Sequence, residues 1–332
     1  MSRGVHIIVV CDVCRSREAV VFQKHTGLRL CRECFIRDVE KRVLNEIKRF
    51  KMFLDNERVL LALSGGKDSF VLLDILSKTH DTSKLGGVTV VEGIRGYNRI
   101  EDLEQLKNIA RERGVELHIV HVKDLAGYSV DELVERSREK NLKISPCTFC
   151  GIYRRRGINR VARELGYDKV ATAHNLDDEV QTLFINLLRG DENRIITLHP
   201  LRNNPSELLV PRVKPLRKIY EYETARYAYL KGYKPQEVEC PYLSLTPSLR
   251  ARIREILYVL EEERPGILLK ILEEYDKLYE ERALKTRVNL WTCEICGEPT
   301  NPGRKICKSC ELLIRVGLIA INRSSFWEYA SR

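Results

Sequence analysis

Glutamine, methionine and tryptophan are nearly missing from this chain of 332 residues, with four, two and two copies, while Glu, Lys and Arg abound. That is the composition of proteins from hyperthermophiles, and it carries no information about a reaction. Also missing is any apolar run near the roughly 20 residues that a membrane-spanning helix needs, which excludes a helical membrane protein. The apolar stretch at 5–10 is too short for the core of a secretory signal and runs straight into cysteines. No targeting segment is therefore expected, and a cytoplasmic location is. In a chain without a secretory signal, paired Cys-x-x-Cys units mean metal or redox chemistry more often than structural disulfides.

What is present is charge, cysteine and a long alternation of apolar segments. The chain carries 57 Lys and Arg against 47 Asp and Glu, a net charge of +10 that favours a polyanionic partner. Its 11 cysteines fall into three groups. Cys11, Cys14, Cys31 and Cys34 lie near one end, Cys293, Cys296, Cys307 and Cys310 near the other, and Cys147, Cys150 and Cys240 between them. Sixteen residues separate the two Cys-x-x-Cys pairs of the first group and ten those of the last. The first spacing lies in the range of four-cysteine zinc sites and the second is slightly tighter; tetrahedral zinc supplies the folding energy that segments this short lack. His25 lies between the first two pairs, but four thiolates leave it no place as a ligand.

The length fits a full-sized core with appendages. Residues 1–36 read as an N-terminal zinc ribbon and 37–56 as a connecting helix, with Val39, Val43, Ile47 and Phe50 at helical spacing. From 57 to 245, strands predicted at 59–63, 88–92, 117–122 and 169–173 alternate with helices at 70–77, 101–113, 152–165 and 178–188. That pattern predicts an α/β fold with a doubly wound parallel sheet. A loop is predicted over 201–215, then helices at 221–230, 247–263 and 265–284. Residues 246–286 form a helical segment, and 287–332 a C-terminal zinc ribbon.

The first strand runs into Ser64-Gly65-Gly66-Lys67-Asp68-Ser69 and then an apolar helix. A strand that delivers a glycine-rich turn to a helix N-terminus exposes backbone N–H groups where the helix dipole is positive, which suits phosphate. The hexapeptide lacks the Walker A pattern and resembles the PP-loop of ATP pyrophosphatases, S-G-G-x-D-S, which grips pyrophosphate while the α-phosphate is attacked. In that role Ser69 donates a hydroxyl, Lys67 adds charge and Asp68 helps hold Mg²⁺. The open-sheet rule puts the ligand at the strands' carboxyl ends, where 91–94 can read adenine and 171–178 brings His174, Asp177 and Asp178. His174 also reads as a plain strand-end residue, and the two aspartates as helix caps.

The central cysteines leave two readings open. Three thiolates suit a [4Fe–4S] cluster with one iron free; equally, Cys147 and Cys150 can form a redox pair with Cys240 as a resolving or persulfide-bearing thiol. The order of the motifs (cysteine ribbon, S-G-G-K-D-S, C-x-x-C-G, A-T-A-H-N-L-D-D, E-C-P, cysteine ribbon) resembles the TtcA/TtuA group of tRNA 2-thiolation enzymes over essentially the whole chain. The double-ribbon layout resembles its TtuA-like branch.

The resemblance implies ATP with Mg²⁺ as cofactor, a [4Fe–4S] cluster on Cys147, Cys150 and Cys240, and two Zn²⁺ ions in the ribbons. It implies ATP contacts at Ala62, Ser64, Gly65, Gly66, Lys67, Asp68, Ser69, Gly93, Gly157 and Asp178, with Asp178 catalytic alongside Asp68 and Lys67. The family commonly has a catalytic lysine four residues after the second cluster cysteine. Here Arg154 stands there, which stabilises phosphate charge but does not readily act as a base. Arg154, Arg155 and Arg156 are placed to hold the tRNA backbone.

The expected partners are tRNA, a ubiquitin-like sulfur carrier with a C-terminal thiocarboxylate, and a second copy of the chain in a homodimer. The expected reaction is adenylation of a tRNA uridine 2-oxygen followed by its replacement with sulfur, first of all at 5-methyluridine 54 of the T loop. Wobble-uridine thiolation is the alternative. A PP-loop enzyme of nitrogen transfer would have no use for the central cysteines, and a non-catalytic zinc-ribbon binder none for the phosphate loop.

Overall fold

The computed structural model describes residues 9–97, 100–202, 206–235, 238–243, 248–286 and 289–319. Of the sequence expectations, the apolar residues 5–8, the helix start at Pro247 and the chain beyond 319 lie outside the described residues.

An antiparallel hairpin of β1 (Val21–Gln23) and β2 (Leu28–Leu30) opens the fold and leads into α1 (Arg32–Phe50). Val39, Val43, Ile47 and Phe50 of α1 are buried, as their spacing predicts. There follow β3 (Val59–Ala62), α2 (Lys67–Thr79), β4 (Leu85–Val91), α3 (Ile100–Glu112), β5 (Glu116–His121), α4 (Val122–Ala126), α5 (Val130–Glu139), α6 (Pro146–Glu164), β6 (Lys169–Thr172), α7 (Leu176–Leu188), α8 (Glu192–Ile196) and β7 (Arg212–Val213). Helices α9 (Glu221–Lys231), α10 (Leu249–Glu263) and α11 (Ile267–Lys285) come next. A small hairpin of β8 (Trp291–Thr292) and β9 (Pro299–Thr300) and helix α12 (Lys308–Arg315) complete the described chain.

Five parallel strands in the order β5-β4-β3-β6-β7 form the central sheet. Val59, Leu60 and Leu61 of β3 are wholly buried because helices cover both faces, so the strand reads as an uninterrupted apolar run. On one face α1, α2, α3 and α9 pack into the main core together with Cys11, Cys31 and Cys34. On the other, Ala162 of α6 meets Leu60, Val88 and Val170. Gly157 makes that packing possible, since a Cβ there would stand 3.0 Å from Leu125 and 3.1 Å from Val120. The connections leave β3 toward β4 on one side and reach β6 on the other, so the topological switch point lies between the carboxyl ends of β3 and β6.

Three local expectations shift. Val122 begins α4 rather than ending a strand. Cys147 and Cys150 lie on the first two turns of α6 rather than before the helix, because Pro146 occupies a position where a missing N–H costs nothing. Helix α7 is capped by Asn175, so Asp178 is the third residue of a capping box and Asp177 is no cap.

Candidate active site

The turn after β3 is shaped by Gly65, whose φ of +78° is a left-handed conformation natural to glycine. Gly66 follows as the N-cap of α2 with no side chain to cap it, so the first N–H groups of the helix are open to an anion. Ser69 closes the turn by donating its hydroxyl to the Gly66 carbonyl at 2.7 Å. Asp68 is held from three sides: by the Thr224 hydroxyl at 2.5 Å, the Lys67 ammonium at 3.1 Å and the Asn175 amide at 3.3 Å. Lys67 also reaches Glu221 at 3.1 Å, and Glu221 receives the Tyr258 hydroxyl at 2.7 Å. Burial would lower the Lys67 ammonium, and its two carboxylate neighbours more than offset this, leaving it raised.

Across the switch point, the start of α7 brings its own acids. Asp178 exchanges capping bonds with Asn175 and stands 3.6 Å from Arg250 of α10. Asp177 is buried and accepts the Glu221 backbone N–H at 2.7 Å, and burial raises its carboxyl to about 6. His174, exposed toward the larger cavity, meets the Thr172 hydroxyl at 2.8 Å, and the desolvating surroundings followed by the nearby Lys214 charge lower its imidazole. The turn thus behaves both as strand end and as cavity wall.

Two cavities flank this turn. One of about 290 Å³ opens at the ends of β3 and β4 and is lined by Ala62, Gly65, Val91, Tyr97, His121 and Arg154, a mainly apolar slot of the size of a nucleoside. The other, of about 620 Å³, is lined by Ser64, Asp68, Ser69, Asp178, Arg155 and Lys214 among others. They share Ala62, Ser64, Arg154 and Ile158, so a molecule can lie across both with its middle over the phosphate loop.

Arg154 stands on that shared wall, ion-paired with the buried Glu92 at the end of β4. Burial would lower the guanidinium, but the Glu92 carboxylate more than offsets that and keeps it firmly charged.

Of the residues expected from sequence, Ala62, Ser64, Gly65, Asp68, Ser69, Arg154 and Asp178 line the cavities. Gly66 and Lys67 support the loop from behind, through the α2 N-cap and the pair with Glu221. Gly93 and Gly157 line neither cavity. Gly157 is taken up by helix-on-sheet packing, and Gly93, at φ +70°, turns the chain beside Ser129. Sequence reading missed Asn175, Thr224, Glu221 and Glu92, which hold the loop and Arg154. Only Asn175 had a local signal, as an N-cap three residues before Asp178.

The cysteines sort as their grouping suggests. In each terminal set all four sulfurs lie within 4.8 Å of one another. The Cys14–Cys31 and Cys296–Cys307 sulfurs are 3.8 and 3.6 Å apart. A tetrahedral ion with metal–sulfur bonds of about 2.3 Å sets its ligands about 3.8 Å apart, so each set fits a single ion.

Cys147, Cys150 and Cys240 form no such tight group among the described residues. Cys150 and Cys240 pack against one apolar cluster with Phe149 and Tyr153, and Cys150 feels the charge of both Cys147 and Cys240. Burial, then Glu92, pushes the Cys150 thiol up to about 12, so a thiolate there needs a cationic partner. Looser spacing of three sulfurs fits a polynuclear cluster, whose irons are bound at separate corners. Cys150 adjoins Gly151, a wall residue of the larger cavity.

With this geometry in hand, comparison with known proteins becomes specific. The PP-loop domain family matches residues 37–255, and the N-terminal LIM domain of the 2-thiouridine synthetase TtuA matches residues 10–36. A probable sulfurtransferase of Methanocaldococcus jannaschii is 36% identical over 313 residues, covering 93% of this chain and 88% of that protein. The tRNA 2-thiolation protein NcsA of Haloferax volcanii is 35% identical over 323 residues, covering 91% and 98%. Among solved structures, the U34-tRNA thiolase NcsA from Methanococcus maripaludis with its [4Fe-4S] cluster superposes with a TM-score of 0.78 at 32% identity, covering 95% and 98%. A PP-loop model over 37–255 and relatives at 32–36% identity along nearly the whole chain agree, and the chain belongs to the PP-loop family of tRNA 2-thiolation proteins.

Proposed function

We propose that the chain is an ATP-dependent sulfurtransferase that replaces the 2-oxygen of the wobble uridine, U34, in tRNA with sulfur. The observation that carries this reading is the pair of communicating cavities on either side of an intact phosphate loop, one apolar and nucleoside-sized, the other basic and large enough for a second nucleotide. The choice of uridine departs from the T-loop position expected from the sequence. It is supported by likeness over 95% of the chain to a protein named as a U34 thiolase, whereas the TtuA likeness is confined to residues 10–36.

The reaction divides into two displacements. The uridine 2-oxygen attacks the α-phosphorus of ATP, pyrophosphate leaves, and the N3 proton passes to a base, a role for which Asp178 faces the cavity. Pyrophosphate charge is taken up by the open N–H groups of α2, with Arg154 on the shared wall; Asp68 would hold Mg²⁺, which when bound would supply further positive charge there. Hydrosulfide then adds at C2, AMP leaves with the former 2-oxygen, and the sulfur-borne proton moves to N3. Adenylation is required because oxide is a very poor leaving group.

Cys147, Cys150 and Cys240 would hold the [4Fe–4S] cluster, which when bound supplies a Lewis-acidic iron that no protein ligand occupies. The terminal sets would each hold one structural zinc. A ubiquitin-like thiocarboxylate carrier as sulfur source, a homodimer and a cytoplasmic site of action complete the proposal.

The test is anaerobic incubation of the reconstituted protein with ATP, sulfide and unmodified tRNA, then nucleoside mass spectrometry and position mapping. 2-Thiouridine at position 34, with AMP and pyrophosphate as co-products, is expected. Thiolation confined to the T loop would overturn the position, ADP as the main nucleotide product the mechanism, and no thiolation the function.

A further inference from the structure

The large cavity does not end at the phosphate loop. Arg155 on α6, Arg202 beyond α8 and Arg212 on β7 line both that cavity and a further one of about 400 Å³, whose far wall includes Asn301, Arg304 and Lys308 of the C-terminal module. The two spaces therefore meet at three guanidinium groups. The Arg212 side chain donates to the Arg155 carbonyl at 3.0 Å, which holds one guanidinium over the helix that carries another.

Burial, then repulsion by Arg155 and Arg202, brings Arg212 down to about 10. Partial burial lowers Arg202 as well, while Arg155 is exposed. Among the described residues none of the three makes an ion pair with a carboxylate. Glu179, the acid that Arg202 feels, is already bound to Lys214 at 2.6 Å. Arginine does not shed such repulsion by losing its proton, so three guanidinium groups gathered where two cavities meet, none of them paired with a carboxylate, call for an anion from outside.

A phosphate is the anion that planar guanidinium groups fit best. ATP already has a seat for its pyrophosphate on the α2 N-terminus. The second cavity leads away from that seat toward Arg304 and Lys308, which share the single carboxylate of Glu311 and so leave positive charge in excess, and a polymer carries phosphates along such a path.

We propose that this passage holds the RNA strand beside the target nucleotide, with a phosphodiester at Arg155, Arg202 and Arg212 and the strand continuing along the C-terminal module. The proposal rests on the reading that the substrate is tRNA, and it assigns the module a binding surface in addition to its metal site.

The test compares the parent chain with Arg212→Met and, at the exposed far end of the path, Lys308→Gln. Affinity for tRNA is measured across a salt series, and binding of ATP and of inorganic pyrophosphate is measured beside it. Arg212→Met is expected to weaken tRNA binding by roughly tenfold and to reduce the slope of log affinity against log salt by about 1, with ATP and pyrophosphate binding within twofold of the parent. Its ligand-free melting temperature should be no lower than the parent's, because a repelling charge has gone. Lys308→Gln should show the smaller slope without any change near the arginines.

Parental slopes in both variants overturn the proposal, and so does a loss in pyrophosphate binding equal to or larger than the loss in tRNA binding. If the parent binds tRNA with an arginine-dependent slope yet thiolates none, the functional reading falls and the passage stands. If it thiolates tRNA while Arg212→Met binds tRNA as the parent does, the passage falls alone.

Discussion

Asp177 is a carboxyl that the fold treats harshly. It is 5% exposed, accepts the Glu221 backbone N–H, and has its pKa raised from 3.8 to about 6, chiefly by burial. Between those values the folded chain holds more protons than the unfolded one, so stability is highest below about 4, falls as pH rises through about 6 and stays reduced above. Asp177→Asn keeps an oxygen for the Glu221 bond and removes the charge. It is expected to stabilise the protein at pH 8 by about 1–3 kcal/mol and much less at pH 4, read from denaturant midpoints at the two pH values. An equal gain at both would show that another group titrates in this window. Asp178, next along the chain, lines the cavity instead, so adjacent and chemically identical residues serve packing and the site separately.

Helix α9 is what keeps the phosphate loop in shape. Its first turn provides Glu221 to Lys67 and Thr224 to Asp68, and its body and the residue after its cap are tied to α2 through buried Asp74, which accepts from Tyr227 at 2.7 Å and from Tyr233, beyond the helix, at 2.8 Å. Thr224→Val removes one hydroxyl at nearly constant volume. Loss of that hydrogen bond to a charged group is expected to lower kcat/KM for ATP by roughly tenfold and stability by about 1–2 kcal/mol, with Thr224→Ser restoring both. Steady-state kinetics and melts of the three proteins check this, and a fully active Thr224→Val would show that Asp68 needs no such support.

The helix itself was legible in the sequence, but its role was not, because Thr224 meets Asp68 from 156 positions away. The phosphate loop was legible for the opposite reason: six consecutive residues between an apolar strand and an apolar helix carry their geometry with them. The same locality explains why the packing role of Gly157 was not legible. A glycine that admits a close ligand and one that admits a close strand look alike until the sheet is folded against it.

The two four-cysteine modules are alike in their paired Cys-x-x-Cys units and unlike in what they hold up. Cys11, Cys31 and Cys34 belong to the core shared by α1, α2 and β3, on the face of the sheet away from the central cysteines. The C-terminal module sits on the other side. Leu312, Leu313 and Val316 pack with Phe149 and Tyr153 in the cluster that Cys150 and Cys240 border, Ser309 accepts from Arg156 at 2.9 Å, and Glu298 pairs with Arg163 at 2.9 Å. An ion held by that module would thus order a wall beside the three central cysteines without taking a ligand from them. Cys310→Ala is expected to release the C-terminal ion, loosen α12 and lower the iron retained after anaerobic reconstitution by at least half, although all three central cysteines remain. Cys11→Ala is expected to cost global stability instead, since its surroundings are the main core, and to leave iron per folded chain near the parent value. Zinc and iron counted on the same folded samples decide the matter. Full iron in Cys310→Ala would show that Phe149 and Tyr153 are positioned by α6 alone, and equal iron loss in both variants would show a general loss of fold rather than a link between one module and the cluster.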